Sequence, residues 1–243
     1  MIKFFRHIRQ HMLAQNKFSK YLLYAIGEIL LVVIGILLAL QINNWNEDQI
    51  LQTDIHKSLA QILSDLQQDQ IELEYFNGVE AKHVSFLERI ADSRGPVAGL
   101  ERLLESLDHY MDFSKNNNGY SGLKNSGKIS YMDNAELKLS LTHYYEKIYE
   151  NLDSASNFAE TFTNDRVIPF AIENLKPHGD FTIDQEIVLE KLETSNLQYL
   201  INYQISVKKY ALGQVKRGII ANDHLMVLIK KELGLKEERN QVQ

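Results

Sequence analysis

The chain has 243 residues with three prolines, twelve glycines and no cysteine, which excludes disulfides, thiolate metal sites, a lipoprotein cysteine and a cysteine nucleophile. Its net charge of −6 hides an asymmetry: Lys3, Arg6, Arg9, Lys17 and Lys20 precede the first acid, Glu28, leaving 21 of the 26 basic and 31 of the 32 acidic residues for the remainder. A basic head thus joins an acidic body, and such a body is a poor polyanion binder, so no nucleic-acid partner is expected.

Residues 1–20 form the head, predicted to be a cytoplasmic amphipathic helix. Phe4, Phe5, Ile8, Met12 and Leu13 suit headgroup contact, and His7 and His11 share one face of it. The run 21–42 is apolar except for Glu28 and Gln41. At 1.5 Å per residue it reaches about 33 Å, enough for a hydrocarbon core of about 30 Å. Tyr21 and Tyr24 mark one boundary and Trp45 the other. A cleaved signal peptide has a shorter apolar region ending in a small-x-small site, whereas this run ends Ala39, Leu40, Gln41. The expectation is an uncleaved single-pass anchor in the lipid bilayer. Basic residues before the span and Glu47, Asp48 and Asp54 after it orient the N-terminus to the cytoplasm. The body then lies outside, in the periplasm of a cell whose inner membrane carries the anchor.

Glu28 is an ionisable group inside a membrane segment, which is costly unless it faces protein or water. On a helix it shares one stripe with Gly35 and Ala39, a small-xxx-small pair that admits a second backbone. Three readings are open. The stripe packs against another transmembrane helix or a second copy of the chain; or Glu28 is an ion-coupling carboxylate; or it reaches for the near interface and the small residues are incidental.

Residues 46–234 read as one helical domain. Apolar residues from Ile50 through Ile71 to Ile90 recur every three or four positions and predict a long first helix, with Asn77-Gly78 open between a turn, a kink and continuity. Gly95-Pro96 ends it. A second helix is predicted from Val97 to about Phe113, then a polar surface loop from Lys115 to Gly119. Tyr120 to Asn125 follow as a helical turn that Gly127 stops. Asp133 and Glu136 have capping-box spacing and open a helix carrying Leu137, Tyr144, Tyr145 and Phe162. Thr182 and Gln185 suggest another cap. Val167 to Leu175 reads as a bent helical piece around Pro169, and the last helices cover 183–192 and 197–233. Residues 235–243 form a charged tail, expected to fray. The fold class is all-α: an N-terminal transmembrane helix continuing into an extramembrane antiparallel bundle.

The stretch FFRHIRQHMLAQNKFSKYLLYAIGEILLVVIGILLALQINNWNE, from Phe4 to Glu47, and more weakly YSGLKNSGKI, from Tyr120 to Ile129, resemble an uncharacterised family of single-span membrane proteins from Bacteroidota. That resemblance implies topology and envelope location and carries no functional residue.

No nucleophile elbow, Walker loop, dinucleotide fingerprint or HExxH helix occurs, so no catalytic residue and no cofactor is assigned. His109 and Asp112 at i, i+3 lack a further ligand, and no metal is expected. Gly119, Gly122 and Gly127 allow unusual backbone angles around Tyr120, Leu123, Lys124 and Tyr131, which read either as a partner or ligand loop or as a corner capping two helices. The expected function is a non-enzymatic envelope module that presents its bundle to a partner or to itself. A small-molecule sensor acting through a partner, its ligand unknown, and a single-span subunit of a proton-driven complex using Glu28 are the alternatives.

Overall fold

The computed structural model describes residues 18–93 and 95–235. Residues 1–17 of the expected head, with His7 and His11, and 236–243 of the expected tail lie outside the described residues. The described chain is all-α, and it divides into two compact units at Asp54 and Ile55.

In the first unit the dominant feature is the start of helix α1 (Phe18–Asp92). Its apolar residues are exposed on every side, from Leu22 and Leu23 through Leu30 and Leu37 to Ile42. A helix that is apolar all round has no polar face to give to water. None of its most apolar window is buried, whereas the core helix of a water-soluble protein would be covered by its own fold; this is one helix long and apolar enough to cross a membrane. At Gly35 an added Cβ would meet nothing within 4 Å, so the unit's own packing does not call for a glycine there.

The second unit is a helical bundle. Its part of α1 buries Ile55, Leu59, Ile62, Leu66, Leu73, Val84, Leu87 and Ile90, and it runs unbroken through Asn77-Gly78. A mid-helix glycine costs about 1 kcal/mol, which the apolar anchors on both sides outweigh. Ile71, counted above with the inner stripe, is 64% exposed. It stands two residues from both Asp69 and Leu73, about 200° around the helix from each, on the side away from the core.

After Gly95-Pro96 come a 3₁₀ turn (Leu100–Arg102) and helix α2 (Leu103–Asp108). The second helix therefore stops five residues short of the expected Phe113. Extended backbone at His109 ends it, and the main chain beyond finds partners in side chains from elsewhere. Glu72 accepts from the Ser114 amide at 3.1 Å, Ser156 donates to the Met111 carbonyl, and Lys208 donates to the His109 carbonyl. Those contacts replace the helical bonds that 109–114 would otherwise make, while Met111 and Phe113 remain buried.

Helix α3 (Asn118–Asn125) ends at Gly127, whose φ of +72° is the left-handed stop expected of it, and a 3₁₀ turn (Lys128–Tyr131) follows. Helix α4 (Ala135–His143) is capped by Asn134, whose Oδ1 accepts the Leu137 amide at 3.0 Å. The cap thus sits one residue beyond the predicted Asp133. From here the chain is helical to Leu175: a π turn at Tyr144–Ile148 joins α4 to α5 (Tyr149–Phe162), a second at Thr163–Val167 joins α5 to α6 (Ile168–Phe170), and a third closes the run at Ala171–Leu175. Pro169 has no amide to offer the preceding turn, and a π turn lies immediately before α6. The anticipated Thr182 cap does not form. Thr182 bonds Asp180 instead, and α7 (Gln185–Thr194) starts after Asp184 without a side-chain cap. Helix α8 (Leu197–Glu232) completes the unit.

Pairings fix the directions. Gln198 bonds the Ala91 carbonyl, Lys208 bonds Glu80 and Asn222 bonds the Leu66 carbonyl. Helix α8 is therefore antiparallel to α1. It is also antiparallel to the 135–175 run, since Phe162 stacks on Tyr203 and Asn134 reaches Glu232. Leu87, Ile90, Leu103, Leu107, Val167, Leu175, Val188, Leu197 and Ile201 form the core near the end of α1.

Candidate functional site

Three carboxylates interrupt the buried stripe of α1: Asp65, Asp69 and Glu80 are 8%, 0% and 4% exposed. Each needs partners, because an unpaired buried carboxylate is strongly disfavoured. Two separate polar clusters form around them.

Asp69 is the centre of the first. It accepts hydrogen bonds from Tyr149 at 2.5 Å, Tyr144 at 2.9 Å and Asn116 at 2.9 Å. The π turn at Tyr144–Ile148 supplies Tyr144 and leads straight into Tyr149, so both hydroxyls reach one carboxylate. Asn222 of α8 donates to the Tyr144 oxygen and to the Leu66 carbonyl. Burial pushes the Asp69 carboxyl above its ordinary value; the bonds from Tyr149, Asn116 and Tyr144 pull it back, and the neighbouring Asp65 adds to the rise. Burial likewise raises all three phenols, Tyr144, Tyr145 and Tyr149, with Asp69 next in effect. All three therefore stay protonated at physiological pH; Tyr144 and Tyr149 donate to Asp69, while the buried Tyr145 hydroxyl has no hydrogen-bond partner.

One turn earlier, Asp65 accepts the Gly119 amide at 2.9 Å and the Gln61 amide at 2.8 Å. This places α3. Tyr120 then stacks on Tyr145 with ring centroids 4.6 Å apart, and its hydroxyl donates to Glu146, which also pairs with Lys124. Burial, then the bond to Glu146, pushes the Tyr120 phenol up to about 12. Of the four loop residues singled out from sequence, Tyr120 and Leu123 point into the core, Lys124 lies at the surface bound to Glu146, and Tyr131 is exposed. The structure thus brings three of them to one corner, where α3 is clamped between α1 and the Tyr144 turn.

Glu80 is the centre of the second cluster. It lies 2.9 Å from Lys208, which is 1% exposed, and 2.8 Å from Nδ1 of His109. Burial alone would raise the Glu80 carboxyl, but the His109 bond and the Lys208 charge outweigh it and hold it below its ordinary value. The His109 ring stacks at 4.5 Å on His83, whose Nδ1 is 2.9 Å from the Ser106 hydroxyl. His83 and Ser106 line an open pocket of about 480 Å³ between α1 and the 98–106 segment. The Asp69 carboxylate, by contrast, is fully buried.

His109 thus pairs with Glu80, and its neighbour in sequence Asp112 is not part of the cluster; among the described residues no group of three or more His, Asp or Glu side chains is arranged to hold a metal. In the first unit, Glu28 lies half-buried, and Gly35 and Ala39 are exposed on the apolar stretch.

Sequence reasoning missed Asp65, Asp69, Glu80, Lys208 and Asn222. A signal was present: each falls where the helical stripe calls for an apolar residue, and the stripe on α1 has gaps at those positions.

A family described as "Family of unknown function (DUF6090)" matches residues 28–158, more than half of the chain. The matched stretch contains the whole of the Asp69 cluster except Asn222, and the whole of the Glu80 cluster except Lys208. No curated protein and no solved structure matches.

Proposed function

The chain belongs to this family of unknown function, DUF6090, and from that premise we propose that it is a non-catalytic, membrane-anchored interaction module. Residues 21–42 are its span, its N-terminus is cytoplasmic, and its bundle is held outside the cytoplasm, in the periplasm where an inner membrane carries the anchor. The observation that carries this reading is the exposure of apolar side chains on every side of the helix from Ile26 to Ile42, which lipid would cover and water would not. The basic residues ahead of the span supply the orientation.

The span also serves as a contact surface for a second copy of the chain, through the stripe of Glu28, Gly35 and Ala39. Gly35 supports this because nothing in its own unit occupies the space a Cβ would fill, so its smallness is available to a neighbouring backbone. The bundle's polar interior argues for a binding and scaffolding role over catalysis. Its carboxylates are spent on tyrosine, amide, lysine, histidine and backbone partners, and Asp69 itself is fully buried.

Absence of cysteine makes the topology directly measurable. A Ser154→Cys variant, altered at an exposed position on α5, should react with a membrane-impermeant maleimide in spheroplasts whose inner membrane is intact. Labelling only after that membrane is broken would place the bundle in the cytoplasm and overturn the proposal. A second reading, a small-molecule sensor acting through a partner, is favoured by the open pocket beside His83.

A further inference from the structure

We infer that the pocket between α1 and the 98–106 segment binds a small amphipathic anion: an oxyanion such as a carboxylate, sulfonate or phosphate carried on an aromatic or short aliphatic group. This goes beyond the anchoring and self-association proposed above and does not depend on either. At about 480 Å³ the pocket falls in the range of small-ligand sites.

Its wall carries three cations. Lys82 and Arg89 come from α1, two helical turns apart on one face, and Arg102 comes from the 3₁₀ turn opposite, with Glu105 as the acid beside them. None of the three makes an ion pair with a described residue, although the chain is acidic overall. Some surface cations elsewhere are paired, Lys115 with Asp153, Lys124 with Glu146 and Lys209 with Glu88; what sets these three apart is that they share one pocket wall. Three unpaired cations converging on one opening in an acidic protein favour a negatively charged visitor.

The apolar half of the ligand is met by Phe86 and Val79. Arg89 already lies over the Phe86 ring, 5.5 Å from its centroid, so the guanidinium is held where a charge above the ring would be received. Gly99, at φ +84°, brings backbone against the same ring, and a Cβ there would stand 3.6 Å from Phe86.

At the inner wall, Ser106 and His83 bond each other at 2.9 Å. Burial, then the nearby His109 and Lys208 charges, push the His83 imidazole down to about 4 against the opposing pull of Glu80 and Glu105, so it is neutral at pH 7. A bound anion adds negative charge beside it and raises that value. Binding therefore takes up a proton, and affinity rises as the pH falls toward the free-state value.

The test titrates the full-length chain in zwitterionic micelles with benzenesulfonate, whose charge does not change over this pH range, and follows chemical shifts of the bundle. Saturable binding is expected, tighter at pH 5 than at pH 7. The rim variant Lys82→Gln/Arg102→Gln should bind about tenfold more weakly or worse with an unchanged melting temperature, and His83→Asn should lose the pH dependence. Absence of saturation, equal affinity in the rim variant, or equal affinity for inorganic sulfate would each overturn the inference. None of these outcomes bears on whether the span associates.

Discussion

Replacing Lys208 with methionine is expected to lower the unfolding free energy of the bundle by about 3–5 kcal/mol, because it leaves the Glu80 charge buried without its partner. Glu80 is 4% exposed and its remaining partner is His109. Methionine matches the lysine stem in volume, so packing is not what is lost. The double variant Lys208→Met/Glu80→Leu should recover most of that stability, since it removes both ions together. Thermal unfolding of the full-length chain in micelles, followed by helical circular dichroism, reads both. Acid acts on the same pair. Glu80 is held below its ordinary value in the fold, so its contribution is complete at neutral pH and is lost as the pH falls through the folded-state value. Lys208→Met should be correspondingly less sensitive to acid than the parent chain.

Gly119→Ala is the second large effect. A Cβ at that position would lie 2.8 Å from both the Ile62 backbone nitrogen and the Ile62 Cγ1 atom, closer than packed atoms tolerate. The backbone nitrogen belongs to a helix and cannot yield as a flexible side chain does. The chain must therefore retreat, which lengthens the bond from the Gly119 amide to Asp65. Overpacking and loss of a charge-assisted hydrogen bond together come to about 3 kcal/mol. Gly122→Ala, three residues on, meets nothing within 4 Å and should change the melting temperature little. A comparable fall in both variants would show that helix α3 is sensitive to any added side chain, and would contradict the close-approach explanation.

The long apolar helix could be read directly, because a segment able to cross a membrane needs an apolar residue at nearly every position, and 21–42 supplies one everywhere but Glu28 and Gln41. Helix content was equally readable from the three-and-four spacing of Leu59, Ile62, Leu66 and Leu73, or of Ile201, Ile205, Leu212 and Val215. The buried polar residues were not, since a search for apolar periodicity passes over Asp69 between Leu66 and Leu73, and over Lys208 between Ile205 and Leu212. Their partners are remote as well. Glu80 and Lys208 are 128 residues apart and Asp69 and Tyr149 are 80 apart, and nothing local joins them.

The second helix was read too long for the same reason. Local pattern continues it to Phe113, but the Glu72, Ser156 and Lys208 side chains claim the main chain after His109. The cap at Asp133 failed because the neighbouring Asn134 accepts the Leu137 amide, and the one at Thr182 because that residue bonds Asp180 and no side chain caps α7. Asn134 also reaches Glu232. Around Tyr120 the glycines were noticed, yet only Gly119 is required by a close approach, and that requirement comes from Ile62 on another helix.

The claim that the span is a contact surface as well as a tether can be tested by disulfide crosslinking of single-cysteine variants, against the background of a chain with no cysteine of its own. Val32→Cys, Gly35→Cys and Ala39→Cys lie on the stripe shared with Glu28, and Ile26→Cys, Leu30→Cys and Leu37→Cys lie on the opposite side of the same helix. Oxidation in native membranes should give dimers from the first set and monomers from the second, with a period of 3.6 residues. Monomers throughout, or dimers at every position alike, would contradict it.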